Sequence, residues 1–221
     1  MAGKLITIEG TDCSGKSTQL ELLTKRLGRG GVNFRKIAFP RYDSESSALV
    51  RMYLGGQFGE NVTAVNAYAA SSFFAVDRVA SYLREWKSYI DDGGNVLLDR
   101  YTTSNAIYQA TKLPESERES FCDWLFDFEY NLLGLPKPDS VIFLDMPPAF
   151  AEKLMAGREE GEDLHERDKG YLKECYNAAC ALSDKYLWER ISCTENQRIK
   201  TIEEIHEEIF MKVKNLLREG K

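Results

Sequence analysis

The chain has 221 residues, 43% of them apolar, enough to bury one substantial core. A net charge of −6 argues against a dominant nucleic-acid surface, and no apolar run reaches membrane-spanning length. The two histidines, His165 and His206, argue against a histidine-based zinc site, and five cysteines without a CxxC pair point to a reducing, cytoplasmic setting.

In chain order, the first apolar run predicts a strand over 4–9, entered directly with no signal peptide before it. It leads into Gly10-Thr11-Asp12-Cys13-Ser14-Gly15-Lys16-Ser17, followed by Thr18 and a helical pattern over 16–27. Strand, glycine-framed loop, Lys-Ser and helix together form the phosphate-cradling arrangement of a P-loop. Gly10 and Gly15 permit backbone that a side chain would forbid. The loop N–H groups then converge on phosphate oxygens, helped by the positive end of the following helix. Lys16 brings a point charge to the outer phosphates, and the Ser17 hydroxyl suits Mg²⁺. The bland alternative is a glycine-rich turn between a strand and a helix.

Further strands are predicted at 35–39, 95–99, 140–145 and 189–193. They alternate with helices at 46–54, 66–91, 116–133, 148–155, 171–187 and 202–217. Apolar strands alternating with amphipathic helices predict an α/β fold, a P-loop kinase-like three-layer αβα domain over 1–221 with a five-stranded parallel sheet. Ligands in such sheets lie beyond the carboxyl ends of the strands, where Gly10, Phe39, Asp99 and Asp145 end or follow a strand. Asp99-Arg100 sets a carboxylate for a metal beside a guanidinium for phosphates; a structural ion pair is the other reading. The charged segment 156–163 reads as a solvated loop or as part of a mobile lid over ATP, the lid running from about 156 to 168.

Several ordered motifs make the chain resemble the thymidylate kinase family. They are Ile8-Glu9-Gly10-Thr11-Asp12, Phe39-Pro40-Arg41-Tyr42, Phe73-Phe74-Ala75-Val76-Asp77-Arg78, Asp99-Arg100-Tyr101 with Ser104-Asn105 and Tyr108, and Leu135-Pro136-Lys137-Pro138-Asp139. The resemblance covers essentially the whole chain and implies transfer of the ATP γ-phosphate to dTMP, with Mg²⁺, in a homodimer. It implies that Phe74 stacks on thymine, that Arg78 hydrogen-bonds the base, and that Asn105 meets the thymine edge with help from Ser104. Tyr108 would crowd the 2′ position, and Asp12 would accept the 3′-hydroxyl. Phe39, Pro40 and Arg41 would wall the acceptor pocket, with Arg41 or its neighbour Tyr42 near the dTMP phosphate.

A phosphate monoester acceptor is already anionic near neutral pH, so the chemistry asks for positive charge and positioning, not for a base. The expected machinery is Lys16, Mg²⁺ on Ser17, and Arg100 between the phosphates, with Asp99 orienting the metal's water shell or Arg100. Some family members carry an arginine in the loop where this chain has Cys13, and others place one in the lid. Arg158 is therefore expected to close over ATP, with Arg167 as its rival. Two other functions fit a P-loop. A nucleoside kinase, or another nucleoside monophosphate kinase, would use a different acceptor; a nucleoside kinase needs a base, for which Glu9 is the one suspicious candidate. A nucleotide switch usually carries an Asn-Lys-x-Asp guanine motif, which this chain lacks.

Overall fold

The computed structural model describes residues 3–155 and 164–219. In chain order the elements are β1 (Leu5–Gly10), α1 (Lys16–Arg29), β2 (Phe34–Ala38), α2 (Ala48–Leu54), α3 (Ala67–Ser81), α4 (Lys87–Asp91), β3 (Asn95–Asp99) and α5 (Thr102–Tyr108). They continue with α6 (Glu115–Phe126), β4 (Ser140–Asp145), α7 (Pro148–Met155), α8 (Lys169–Lys185), β5 (Glu189–Ser192) and α9 (Ile202–Glu219). A two-stranded hairpin, β6 (Thr194–Glu195) with β7 (Arg198–Ile199), joins β5 to α9.

The five main strands form one parallel sheet in the order β2-β3-β1-β4-β5. Strand β1 lies in the middle and every one of its residues is buried, which is why it reads as a continuous apolar run and not as an alternating one. Successive side chains still point to opposite faces. Ile6 and Ile8 pack with Leu20 and Leu23 of α1 and with Ile209 and Val213 of α9. Leu5 faces the other way, into a cluster with Ile37, Leu98, Trp86 and Tyr101. Each fully buried aliphatic side chain of this kind contributes about 1.5–3 kcal/mol.

Strand β1 is flanked by β3 and β4, so the chain leaves it to opposite sides and a crevice opens at the carboxyl ends. The register brings Ile8 level with Asp99 and Gly10 level with Leu144, so the loop after β1 and the Asp99-Arg100 pair share one end of the sheet.

Two long predicted helices are interrupted. Over 66–91, Asn66 caps α3 by accepting from Ala69 N, then a π-turn at Tyr82–Trp86 separates α3 from α4. Over 116–133, α6 gives way to a second π-turn at Asp127–Leu132. One added residue per turn is invisible to a 3.6-residue period. Helix α5 was not among the predicted helices. The β6–β7 hairpin was not predicted either; its turn residues Asn196 and Gln197 have φ of 48° and 60°. Among the described residues, no helix is long and apolar enough to cross a membrane.

Candidate active site

A cleft of about 710 Å³ opens at the carboxyl ends of β1, β2 and β3. Its floor is the loop 12–18: Asp12, Cys13, Ser14, Gly15, Lys16, Ser17 and Thr18 all line it. Gly10 and Thr11 lie behind the floor. Thr11 lines a small second cavity against α7 and α8, and a Cβ on Gly10 would fall 2.4 Å from Ser14 Oγ and 3.2 Å from the Leu144 carbonyl. Gly15 needs its missing side chain for a different reason, a φ of 84° at the start of α1. Lys16 Nζ donates to the Thr11 carbonyl at 2.9 Å, a contact that a phosphate oxygen can replace. Burial and the neighbouring Arg100 push Lys16 down to about 8, against the opposing pull of Asp12, Asp99 and Glu9.

Arg100 and Asp12 form the junction between the loop and the rest of the cleft. An Arg100 Nη2 hydrogen meets Asp12 Oδ1, and the guanidinium lies over the Tyr108 ring, 5.2 Å from its centre. The Tyr108 hydroxyl donates to Asp12 Oδ2 at 3.0 Å. Burial raises the Asp12 carboxyl, but Arg100, Lys16 and Tyr108 together hold it below its ordinary value. Arg100 sits at φ 63°, in the left-handed region that a side chain enters at a cost of ~1–3 kcal/mol. Glu9 supports the turn that holds it there, accepting from Tyr101 N at 3.2 Å, Thr103 Oγ1 at 2.6 Å and Ser104 Oγ at 2.9 Å. Glu9 is fully buried, and this desolvation raises its carboxyl above its usual value despite Arg100 and the two hydroxyls. Ser104 is thus directed at Glu9.

Ser17 Oγ donates to Asp99 Oδ2 at 3.3 Å beside the loop. A hydroxyl and a carboxylate are hard oxygen donors of the kind Mg²⁺ takes when phosphates and waters supply the rest. Among the described residues, no group of three or more histidine, cysteine, aspartate or glutamate side chains is placed to hold a metal ion.

The far wall carries Phe39, Pro40, Tyr42, Phe74, Arg78 and Asn105. Phe74 sits edge-on to Tyr53 at 6.2 Å. Arg78 is almost wholly buried, yet it lines the cleft while making a two-point ion pair with Glu129. Arg41 turns from the cleft: its guanidinium pairs with Glu85 at 2.7 Å, and Tyr42 takes the place on the wall. Arg158 falls outside the described residues; Arg167 is exposed.

Residues beyond the sequence-based set include Gln109 and His165 on the wall and Glu129 behind it. Gln109 is buried with its Oε1 unpartnered among the described residues, and it follows Asn105 by four positions, a spacing that puts the two on one helical face. His165 stacks on Tyr108 with ring centres 5.5 Å apart and meets the Tyr53 hydroxyl at 2.7 Å. Burial, with Lys112 nearby, pushes His165 down to about 3, so it is a neutral ring and adds no charge. Glu129 lies 51 positions from Arg78, and no local pattern announces the pairing.

Comparisons with known proteins agree in substance. The family model described as thymidylate kinase matches residues 8–209. A thymidylate kinase of Mycobacterium tuberculosis is 32% identical over 182 residues, covering 82% of this chain and 81% of its own. The Homo sapiens thymidylate kinase is 29% identical over 214 residues, with 94% of this chain and 88% of its own covered. The solved structure of thymidylate kinase from Candida albicans superimposes with a TM-score of 0.72 at 22% identity, covering 97% of this chain and 92% of that one.

Proposed function

The chain belongs to the thymidylate kinase family, and from that premise we propose how its cleft moves the γ-phosphoryl group of ATP to dTMP to give dTDP. The observation that carries the reading is a single cleft with two chemistries. A phosphate-binding loop forms one side, an aromatic and amide-lined pocket the other, and Arg100 stands between.

Loop 12–18 holds the donor phosphates through its N–H groups and Lys16. Phe74 offers its ring face to the thymine, Arg78 and Asn105 meet the base edge, and Tyr108 closes on the sugar with Asp12 beside it. Arg100 spans the gap between donor and acceptor phosphates and offsets the charge on the transferring group. Ser17 and Asp99 would hold Mg²⁺, which when bound neutralises phosphate charge and keeps the donor oxygens in register. No side chain has to remove a proton, because the acceptor oxygen is already anionic. The engagement of Glu9 with Tyr101, Thr103 and Ser104 argues the same way against a nucleoside kinase.

The reading extends to two further points. The enzyme works in the cytoplasm, a setting that five cysteines without a CxxC pair fit. It acts as a homodimer through the outer face of α3 and the π-turn that follows it, where Tyr68, Val76 and Leu83 are exposed.

An acceptor screen with ATP and Mg²⁺, followed by ADP release, tests the function. dTMP should be the best acceptor among the nucleoside monophosphates, and thymidine should give no turnover. Turnover of thymidine ahead of dTMP, or hydrolysis with no acceptor, would overturn the assignment.

A further inference from the structure

Glu129 is a charged group behind the base pocket that the phosphate chemistry leaves unused. It stands in the π-turn that follows α6 and is completely buried. Its two oxygens gather the pocket's polar side chains. Oε2 accepts from Arg78 Nε at 2.7 Å and from Thr102 Oγ1 at 2.7 Å; Oε1 accepts from Arg78 Nη2 at 2.6 Å. Asn105 Nδ2 lies 3.4 Å from Oε1 and 3.3 Å from the Ser71 carbonyl.

This arrangement decides what remains for a ligand. With Nε and Nη2 held by Glu129, Arg78 has Nη1 left, which takes no partner among the described residues, and the residue lines the cleft. With both amide hydrogens directed at Glu129 and Ser71, Asn105 has its carbonyl oxygen left. Turning that amide around would set Oδ1 against a carboxylate oxygen and a carbonyl oxygen, two acceptors, so Glu129 fixes which end faces the ligand. The pocket edge therefore offers a donor beside an acceptor.

We propose that Glu129 is the positioning residue that sets the choice of pyrimidine, by fixing Arg78 as donor and Asn105 as acceptor toward the base edge. The inference rests on the reading that the dTMP base lies against Phe74. Thymine and uracil present an acceptor oxygen at position 4 and an N–H at position 3, the complement of that pattern. Cytosine presents an amino donor at 4 and a lone pair at 3, so both contacts become donor against donor and acceptor against acceptor. A site with buried polar groups left mispaired rejects the wrong ligand strongly, up to about 10⁴-fold or more.

The test uses 5-methyl-dCMP, which keeps the shape and methyl group of dTMP and reverses only the edge. In the wild type, kcat/KM for dTMP should exceed that for 5-methyl-dCMP by at least about 10³. Acceptance of the analogue within tenfold of dTMP overturns the proposal with no variant needed. Glu129→Gln replaces one acceptor oxygen with an N–H, so Asn105 can turn; the ratio should fall at least tenfold, with KM for dTMP rising more than kcat falls. Glu129→Asp, too short to reach Arg78 and Asn105 together, should lower the ratio likewise and serves if the first variant fails to fold. Loss of activity on both substrates with the ratio unchanged within threefold would leave Glu129 a purely structural part and overturn the proposal. Wild-type protein that binds ATP but does not turn over dTMP at all would instead sink the reading beneath it.

Discussion

At the scale of single residues, the cleft is built from charges that correct one another. Lys16 is the clearest case. Burial and Arg100 push its ammonium down to about 8, and three carboxylates pull the other way. The protonated form is the one that attracts phosphate, so affinity is full below that value and is lost as pH rises through it. Titration calorimetry with ATP and Mg²⁺ should show Kd nearly flat up to neutral pH and roughly tenfold weaker at pH 9 than at pH 7. A flat profile to pH 9 would mean that Asp12, Asp99 and Glu9 outweigh the desolvation. Arg100 differs in that its backbone carries the cost, at φ 63°. Its turn persists because Glu9 binds the next residues from below and Asp12 and Tyr108 hold the guanidinium from above. Replacing it with alanine should lower kcat by about 10²–10³, as removal of one charge-stabilising donor does, while leaving ATP affinity within a few fold.

At the scale of elements, β1, β3 and β4 were legible as short, mainly apolar runs ending in glycine or aspartate, whereas β2 (Phe-Arg-Lys-Ile-Ala) and β5 (Glu-Arg-Ile-Ser) carry exposed charges, as suits the two edges of the sheet. Their extents differ from the expected ones by a residue or so at the ends, as with 4–9 against Leu5–Gly10. Helix α5 was not legible, since six of its seven residues are buried and no polar stripe marks a helical period. The π-turns escaped for the reason of period already given, and with them the position of Glu129. The site divides similarly. The loop announces itself by spacing, whereas Arg78 with Glu129 and Tyr108 with His165 are contacts between distant segments that only the fold creates. The loop's two glycines make separate demands. A methyl on Gly10 meets Ser14 Oγ and the Leu144 carbonyl, so Gly10→Ala must shift the loop; ATP should bind at least tenfold more weakly, and Ser14→Ala on that background should recover part of the loss. Gly15→Ala meets nothing within 4 Å and suffers only from φ 84°. It should cost about 1–2 kcal/mol of stability, read from denaturant unfolding with the slope unchanged.

At the scale of the whole molecule, α3 faces two ways. Its inner side supplies Phe74 and Arg78 to the cleft. Along its outer side run Tyr68, Val76 and, in the π-turn beyond, Leu83, exposed by 42%, 54% and 63%. Steps of eight and seven positions keep these three on one helical stripe. Helix α6 lies alongside: Tyr68 packs against Trp124, and Leu132 farther on is 72% exposed. Scattered exposed leucines are ordinary, but an aligned apolar band on two adjacent helices is the kind of surface a second copy covers. Sedimentation of the wild type should give twice the chain mass. The double variant Val76→Glu with Leu83→Glu should give the single-chain mass with unchanged helix content by circular dichroism. Because the same helix positions the acceptor wall, the separated chains should lose affinity for dTMP by about tenfold and keep their affinity for ATP. Wild-type protein that sediments as a single chain at micromolar concentration would show that this face serves something other than self-association.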